Sequence, residues 1–287
     1  MKFSIINFYI IKEGDNEMFK AVVSDLDGTL LNAEHKVSDF TRETVELLLK
    51  KGIKFYIATG RNYLGAKEAM DELGVKVPLI TSHGSVAFDE NGNEIFSNNL
   101  KREYLDKVLD IDYKSFGKDI IITGYSGPNW FVTEDLQEYF YNKKPDRTRY
   151  PKQITPEEFK KHNFTKIFFL GEDHDELLEL ENEIRKAVGD GNISLLFANE
   201  GSLEVFSANC NKAKAAEVLL ERDGLTLKDA VSFGDGLNDY ELITETGLGF
   251  AMGNSIYLLL EKLTDTEVIE SNAEDGMAKK LRELFNL

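Results

Sequence analysis

Asp25-Leu26-Asp27-Gly28-Thr29-Leu30-Leu31 follows directly on the short apolar, β-branched run FKAVVS at 19–24. A run of that length ending in a polar cluster predicts a buried strand, with a sharp turn at its C-terminal end. Gly28 gives the chain the freedom to make that turn. The carboxylates of Asp25 and Asp27 then stand where open α/β sheets bind ligands, outside the carboxyl ends of the strands. An EF-hand reading fails, because positions six and twelve counted from Asp25 hold Leu30 and Lys36 where that loop needs Gly and Glu. A plain turn with both aspartates as caps accounts for the motif equally well when it is taken alone.

The flanking sequence keeps a strand–helix rhythm. Residues 39–51 place apolar side chains at helical spacing and stop at Gly52. KFYIA (54–58) reads as a strand, 62–74 as a helix and PLITS (78–82) as a third strand. Such alternation predicts a parallel sheet with helices on both faces. It returns near the C-terminus, with helices at 212–222, 240–247, from about 255 and at 274–285, and strands at 229–234, GFAM and EVIE. Between the halves lie a hairpin signal at 86–96, the runs DIIITG, WFVTE and TKIFFLG, an acidic helix at 173–188, then ISLLFA and SLEVFS. The fold class expected is α/β: a Rossmann-like parallel-sheet core over 19–83 and 207–287, with an α+β domain inserted at 84–206.

Residues 1–18 begin like a signal peptide. Their apolar run is short, Asn7 interrupts it, and KEGDNE follows without a small-residue cleavage site. The run is also too short to span a bilayer, so no membrane is expected as a partner. The segment is read as an extra arm, or as the result of start-site choice ahead of Met18.

The 287 residues suit two ordinary domains, and 42% hydrophobic residues are enough for their cores. With 51 acidic and 34 basic residues the formal net charge is −17. Such a surface repels polyanions, which argues against nucleic acid as a partner. It repels a phosphorylated metabolite too, so any phosphate site needs cations of its own. One cysteine, Cys210, leaves no internal disulfide framework and fits a cytoplasmic protein.

A second acidic motif, Gly234-Asp235-Gly236-Leu237-Asn238-Asp239, also falls at the end of a strand. A dinucleotide fingerprint needs glycine at 239, where Asp stands. Four carboxylates from two loops at one sheet edge are costly without a cation, and hard oxygen donors select Mg²⁺ or Ca²⁺. Mg²⁺ suits the few protein ligands and an open site. Thr59-Gly60-Arg61 supplies a hydroxyl and backbone N–H groups before a helix N-terminus, which favours anions, although Thr-Gly there is also a routine cap. Lys212 opens a helix, where a basic residue opposes the dipole unless a carboxylate or phosphate pairs with it; Lys214 is its local competitor.

Taken in order, DLDGTLL, ATGR, NKAKAAEVL and GDGLND resemble the four motifs of the haloacid dehalogenase (HAD) superfamily. The large insert and the tail GFAMGNS…EVIESNAEDGMAKKL resemble its Cof-type phosphatase branch, with a subclass IIB cap. The likeness covers about residues 19–287. It implies a magnesium-dependent phosphatase acting on a small phosphorylated metabolite, sugar phosphates first, as a monomer or weak homo-oligomer. By the same resemblance Asp25 is the nucleophile and Asp27 the general acid/base. Mg²⁺ falls to the carboxylates of Asp25 and Asp235 and the main-chain carbonyl of Asp27, with Asp239 in support. Phosphate falls to the N–H of Leu26 and to Thr59, Gly60, Lys212 and Asn238. A phosphotransferase or phosphomutase with the same intermediate is the alternative, and a non-catalytic metabolite-binding regulator a more distant one.

Two positions depart from the family pattern. Ala213 stands where Gly usually follows the lysine, and His83-Gly84 stands where Asn-Gly usually follows the third strand. Arg61 and His83 are carried as substrate contacts, His83 equally as a structural histidine. In the insert, residues 143–152 hold five basic residues and one acid, and Arg147 and Arg149 are carried as contacts for a second anionic group, against a solvated basic loop. Trp130 reads as core of the insert.

Overall fold

Strand β1 (Ala21–Asp25) is buried along its whole length, and its side chains divide between two apolar clusters. Val22 joins Phe55, Ile57, Val231 and Phe233 on one face; Ala21 and Val23 join Tyr56, Ala58 and Ala230 on the other. A strand covered on both sides must be apolar at every position, which is why FKAVVS shows no alternation. The computed structural model describes residues 19–127, 129–135, 151–208 and 210–287. The basic stretch with Arg147 and Arg149, and the leading residues 1–18, lie outside the described residues.

The core strands before the insert are β1, β2 (Lys54–Ala58), β3 (Leu79–Thr81), β4 (Val86–Phe88) and β5 (Glu94–Ser97). A second sheet contains β6 (Ile121–Ser126), β7 (Asn129–Val132), β8 (Lys152–Gln153), β9 (Lys166–Leu170), β10 (Ile193–Asn199) and β11 (Ser202–Ser207). The chain then returns to the first sheet through β12 (Ala230–Gly234), β13 (Leu248–Ala251) and β14 (Glu267–Val268). The first sheet runs β14-β13-β12-β1-β2-β3-β4-β5, parallel from β14 to β3. The expected parallel α/β core is present. Helices Asp39–Lys50, Tyr63–Leu73 and Gly276–Phe285 cover one face, and Lys212–Arg222 and Tyr240–Glu245 cover the other. Small residues Ala213, Ala215 and Ala216 let Lys212–Arg222 lie close against the sheet.

The boundary expected at residue 84 does not coincide with a change of sheet. Hairpin β4–β5 adds antiparallel to β3, with Thr81 opposite Val86, and so extends the core sheet. Its cause is the turn Ser82–Gly84, which reverses the chain at once after β3. The second sheet runs β10-β11-β9-β6-β7-β8. One face packs Ile167, Phe169, Leu203 and Val205 against helices Arg102–Leu109 and His174–Val188. By alternation the other face carries Lys166, Phe168, Glu204 and Phe206. Trp130 sits half-buried at the edge of that second face, beside Phe168 and Tyr125, with Nε1 donating to Thr123 Oγ1 at 2.6 Å.

Candidate active site

Parallel strands β1 and β12 are neighbours in register, so the two acidic motifs leave the sheet side by side. One oxygen each from Asp25, Asp235 and Asp239 lie within 4.8 Å of one another. Gly28, at φ +78°, is what permits this: a Cβ there would run into the Asp235 carboxylate. Thr29 Oγ1 donates to Asp235 Oδ1 at 3.4 Å, and Asn254 Nδ2 donates to the Gly28 carbonyl at 2.8 Å. Asn254 was not singled out from the sequence. Its signal was its place just after β13, at the same sheet edge.

Lys212 Nζ donates to Asp25 Oδ1 at 2.5 Å and to Asp239 Oδ1 at 2.6 Å, and the side chain is fully buried. Its competitor Lys214 is exposed. The conflict between Lys212 and the helix dipole is thus resolved by two carboxylates. Asp239 Oδ2 accepts the N–H groups of Asp235 and Gly236 at 3.1 and 3.0 Å, so both its oxygens are committed to holding Lys212 and this loop.

The electrostatics are unbalanced. Burial drives the Asp25 carboxyl well above the usual carboxylate range; Lys212 opposes this, and Asp239 and Asp235 add to it. Asp235 is pushed up to about 6, by burial first and then by Asp239, with Lys212 opposing. Burial acts against the Lys212 charge, but Asp239 and Asp25 outweigh it and keep the ammonium protonated. Three hard-oxygen carboxylates, two buried and one partly buried, around one ammonium fit a divalent cation.

Asp27 is not a member of this cluster. Arg61 grips it at both oxygens, Nε to Oδ2 at 2.8 Å and Nη2 to Oδ1 at 2.5 Å, so Arg61 is committed to Asp27. Leu26 opens the turn and is buried, and Thr59 Oγ1 accepts the Arg61 N–H at 3.1 Å.

His83 joins the two sheets. Its Nε2 lies 2.8 Å from Glu204 Oε2, and its Nδ1 lies 3.2 Å from Asn238 Nδ2. Ser82, His83 and Gly84 all have positive φ, a conformation that costs an ordinary residue roughly 1–2 kcal/mol. Lys166 Nζ pairs with Glu204 Oε1 at 2.7 Å and donates to the Gly60 carbonyl at 3.3 Å. Burial pushes Glu204 up, but Lys166 and His83 bring it down to about 2. Burial, the largest influence on His83, lowers its pKa and keeps the ring neutral. Sequence reading found neither Lys166 nor Glu204.

A family model described as haloacid dehalogenase-like hydrolase matches residues 22–281. The chain is a haloacid dehalogenase-like hydrolase. This hydrolase is 34% identical over 277 residues to a Haemophilus influenzae protein that carries a provisional phosphatase name, covering 95% of this chain and 99% of that one. It is 31% identical over 253 residues to an HMP-PP phosphatase of an Enterobacter species, covering 88% and 90%. Among solved structures, a Thermotoga maritima protein superposes with a TM-score of 0.78 at 22% identity, covering 93% and 97%. A HAD subclass IIB sugar phosphatase superposes at 0.76 and 22% identity, covering 93% and 100%. Among the described residues no helix is long and apolar enough to cross a membrane.

Proposed function

We propose that this hydrolase is a phosphatase that cleaves a small phosphorylated metabolite, most readily a sugar phosphate, through phosphorylation of Asp25. The observation that carries the reading is the Lys212 ammonium held between Asp25 and Asp239, with Asp235 alongside, at the carboxyl ends of adjacent parallel strands. Mg²⁺ suits this donor set, with Asp25, Asp235 and the main-chain carbonyl of Asp27 to hold it and Asp239 behind them. When bound, Mg²⁺ supplies positive charge against the phosphoryl oxygens.

The chain's own residues perform the transfer. Lys212, Thr59, Gly60, Asn238 and the Leu26 N–H orient the phosphate and offset its charge. An Asp25 carboxylate oxygen forms a bond to phosphorus as the ester P–O bond breaks, and the leaving oxygen takes its proton from Asp27. Asp27 then removes a proton from water, whose oxygen attacks phosphorus and releases inorganic phosphate and free Asp25. Arg61 holds both Asp27 oxygens and must yield them for both proton transfers. The domain that carries the second sheet acts as a cap over this edge. Cys210 is buried, and burial raises its thiol pKa, which supports a structural rather than a nucleophilic thiol.

Hydrolysis of an aryl phosphate should require Mg²⁺, stop with a chelator and resume when Mg²⁺ is restored. Turnover that ignores the chelator contradicts the cation assignment. A panel of sugar phosphates and HMP-PP then ranks leaving groups. Phosphate transferred to an added alcohol in preference to water would favour the phosphotransferase alternative.

A further inference from the structure

Five groups on three loops and two strands form one unbroken hydrogen-bonded path: Gly60, Lys166, Glu204, His83 and Asn238. Its two ends lie in the loops that the phosphatase reading assigns to phosphate. Its middle, Lys166 and Glu204, belongs to the second sheet.

The protons on this path are determined. Glu204 is ionised beside Lys166, so it accepts, and His83 Nε2 must carry a hydrogen to donate to it. A neutral ring then has a bare Nδ1, which must accept, and the amide nitrogen of Asn238 supplies the donor. One N–H of Asn238 is thereby committed and its direction fixed, which leaves the second aimed elsewhere. The ring itself has little freedom. It stacks on Phe206 with centroids 5.2 Å apart at 21°, and a Cβ on Gly60 would strike it. Backbone bonds hold the turn beneath it, Ser82 N to Arg61 O at 2.8 Å and His83 N to Thr59 O at 3.1 Å.

We propose that His83 is a positioning residue that carries the seating of the second sheet to the phosphate loop, orienting Asn238 only while Glu204 accepts from its ring. This rests on the phosphatase reading for the role of Asn238. A histidine here does what a shorter side chain cannot, because it reaches partners on both sides at once.

The test measures the affinity of inorganic phosphate in the presence of Mg²⁺ by calorimetry, together with aryl phosphate turnover. His83→Asn is the main variant, since Asn tolerates the left-handed backbone and keeps the turn folded. Loss of an oriented hydrogen bond to a charged group should weaken phosphate binding by about tenfold or more. Glu204→Ala should weaken it similarly, and the double variant should be no worse than either single one. Glu204→Gln, which keeps an acceptor for Nε2–H, should retain most of the affinity. A purely structural role would lower the melting temperature of these variants and leave phosphate affinity at 25 °C within about twofold, and that result overturns the proposal. Independent, additive losses overturn it as well. A wild type that binds phosphate with the predicted coupling but hydrolyses no ester leaves the positioning role standing and sinks the phosphatase reading. A wild type that binds no phosphate sinks both.

Discussion

Among the described residues, two clusters of ionisable groups differ in charge balance. At the sheet edge, one ammonium, Lys212, faces Asp25, Asp239 and Asp235. At the seam between the sheets, one ammonium, Lys166, faces one carboxylate, Glu204, with a neutral histidine beside them. The first cluster raises its own carboxyl pKa values, and the second lowers one to about 2. Both are largely buried, Asp235 being the partly exposed member. The difference is stoichiometry: a cluster short of positive charge is prepared to receive a cation, whereas a balanced one is already satisfied and joins surfaces.

Lys212→Met breaks the comparison most severely. It leaves Asp25 and Asp239 buried without their cationic partner, and unfolding in urea should show a loss of roughly 3–5 kcal/mol together with loss of turnover. Unchanged stability would mean that these carboxylates do not need the ammonium.

Acid sharpens the contrast at the seam. Glu204 has a folded pKa of about 2, below the unfolded value of 4.5. Its stabilisation is therefore complete above about pH 4.5 and is lost as pH falls toward 2, by roughly 3 kcal/mol in all. His83, lowered by burial, adds a loss in the same direction, beginning as pH falls below about 6.5. Below about pH 4.5 stability should fall more steeply with acid in the wild type than in Glu204→Gln, because the raised carboxyls of the edge cluster, which favour the folded state as pH falls, act alike in both. Equal slopes would remove Glu204 from the account.

Gly60→Ala has the smallest expected effect. Its Cβ would meet the His83 ring, which Phe206 and two hydrogen bonds hold in place, so overpacking should cost about 1–3 kcal/mol in thermal or urea unfolding. A neutral result would show that the ring moves freely.

Much of this architecture was legible in the chain. KFYIA and residues 212–222 read to the residue, because a doubly covered strand and an alanine-faced helix announce themselves locally. The edge cluster was legible because each motif is contiguous. The seam was not. Nothing local sets Lys166 in TKIFFLG or Glu204 in SLEVFS apart from other polar residues. They meet only because β9 pairs with β11, where Lys166 opposite Phe206 brings Glu204 onto its diagonal. The hairpin β4–β5 went to the insert for a related reason, since composition cannot say which sheet a strand joins.

The central claim is that Asp25 becomes phosphorylated, and acid-quenched mass spectrometry tests it directly. In Asp27→Asn, which slows attack by water, a peptide spanning Asp25 should carry one phosphoryl group shortly after mixing with an aryl phosphate and Mg²⁺. The same peptide from Asp25→Asn should carry none. Phosphate on another residue, or turnover that survives Asp25→Asn, would contradict the account.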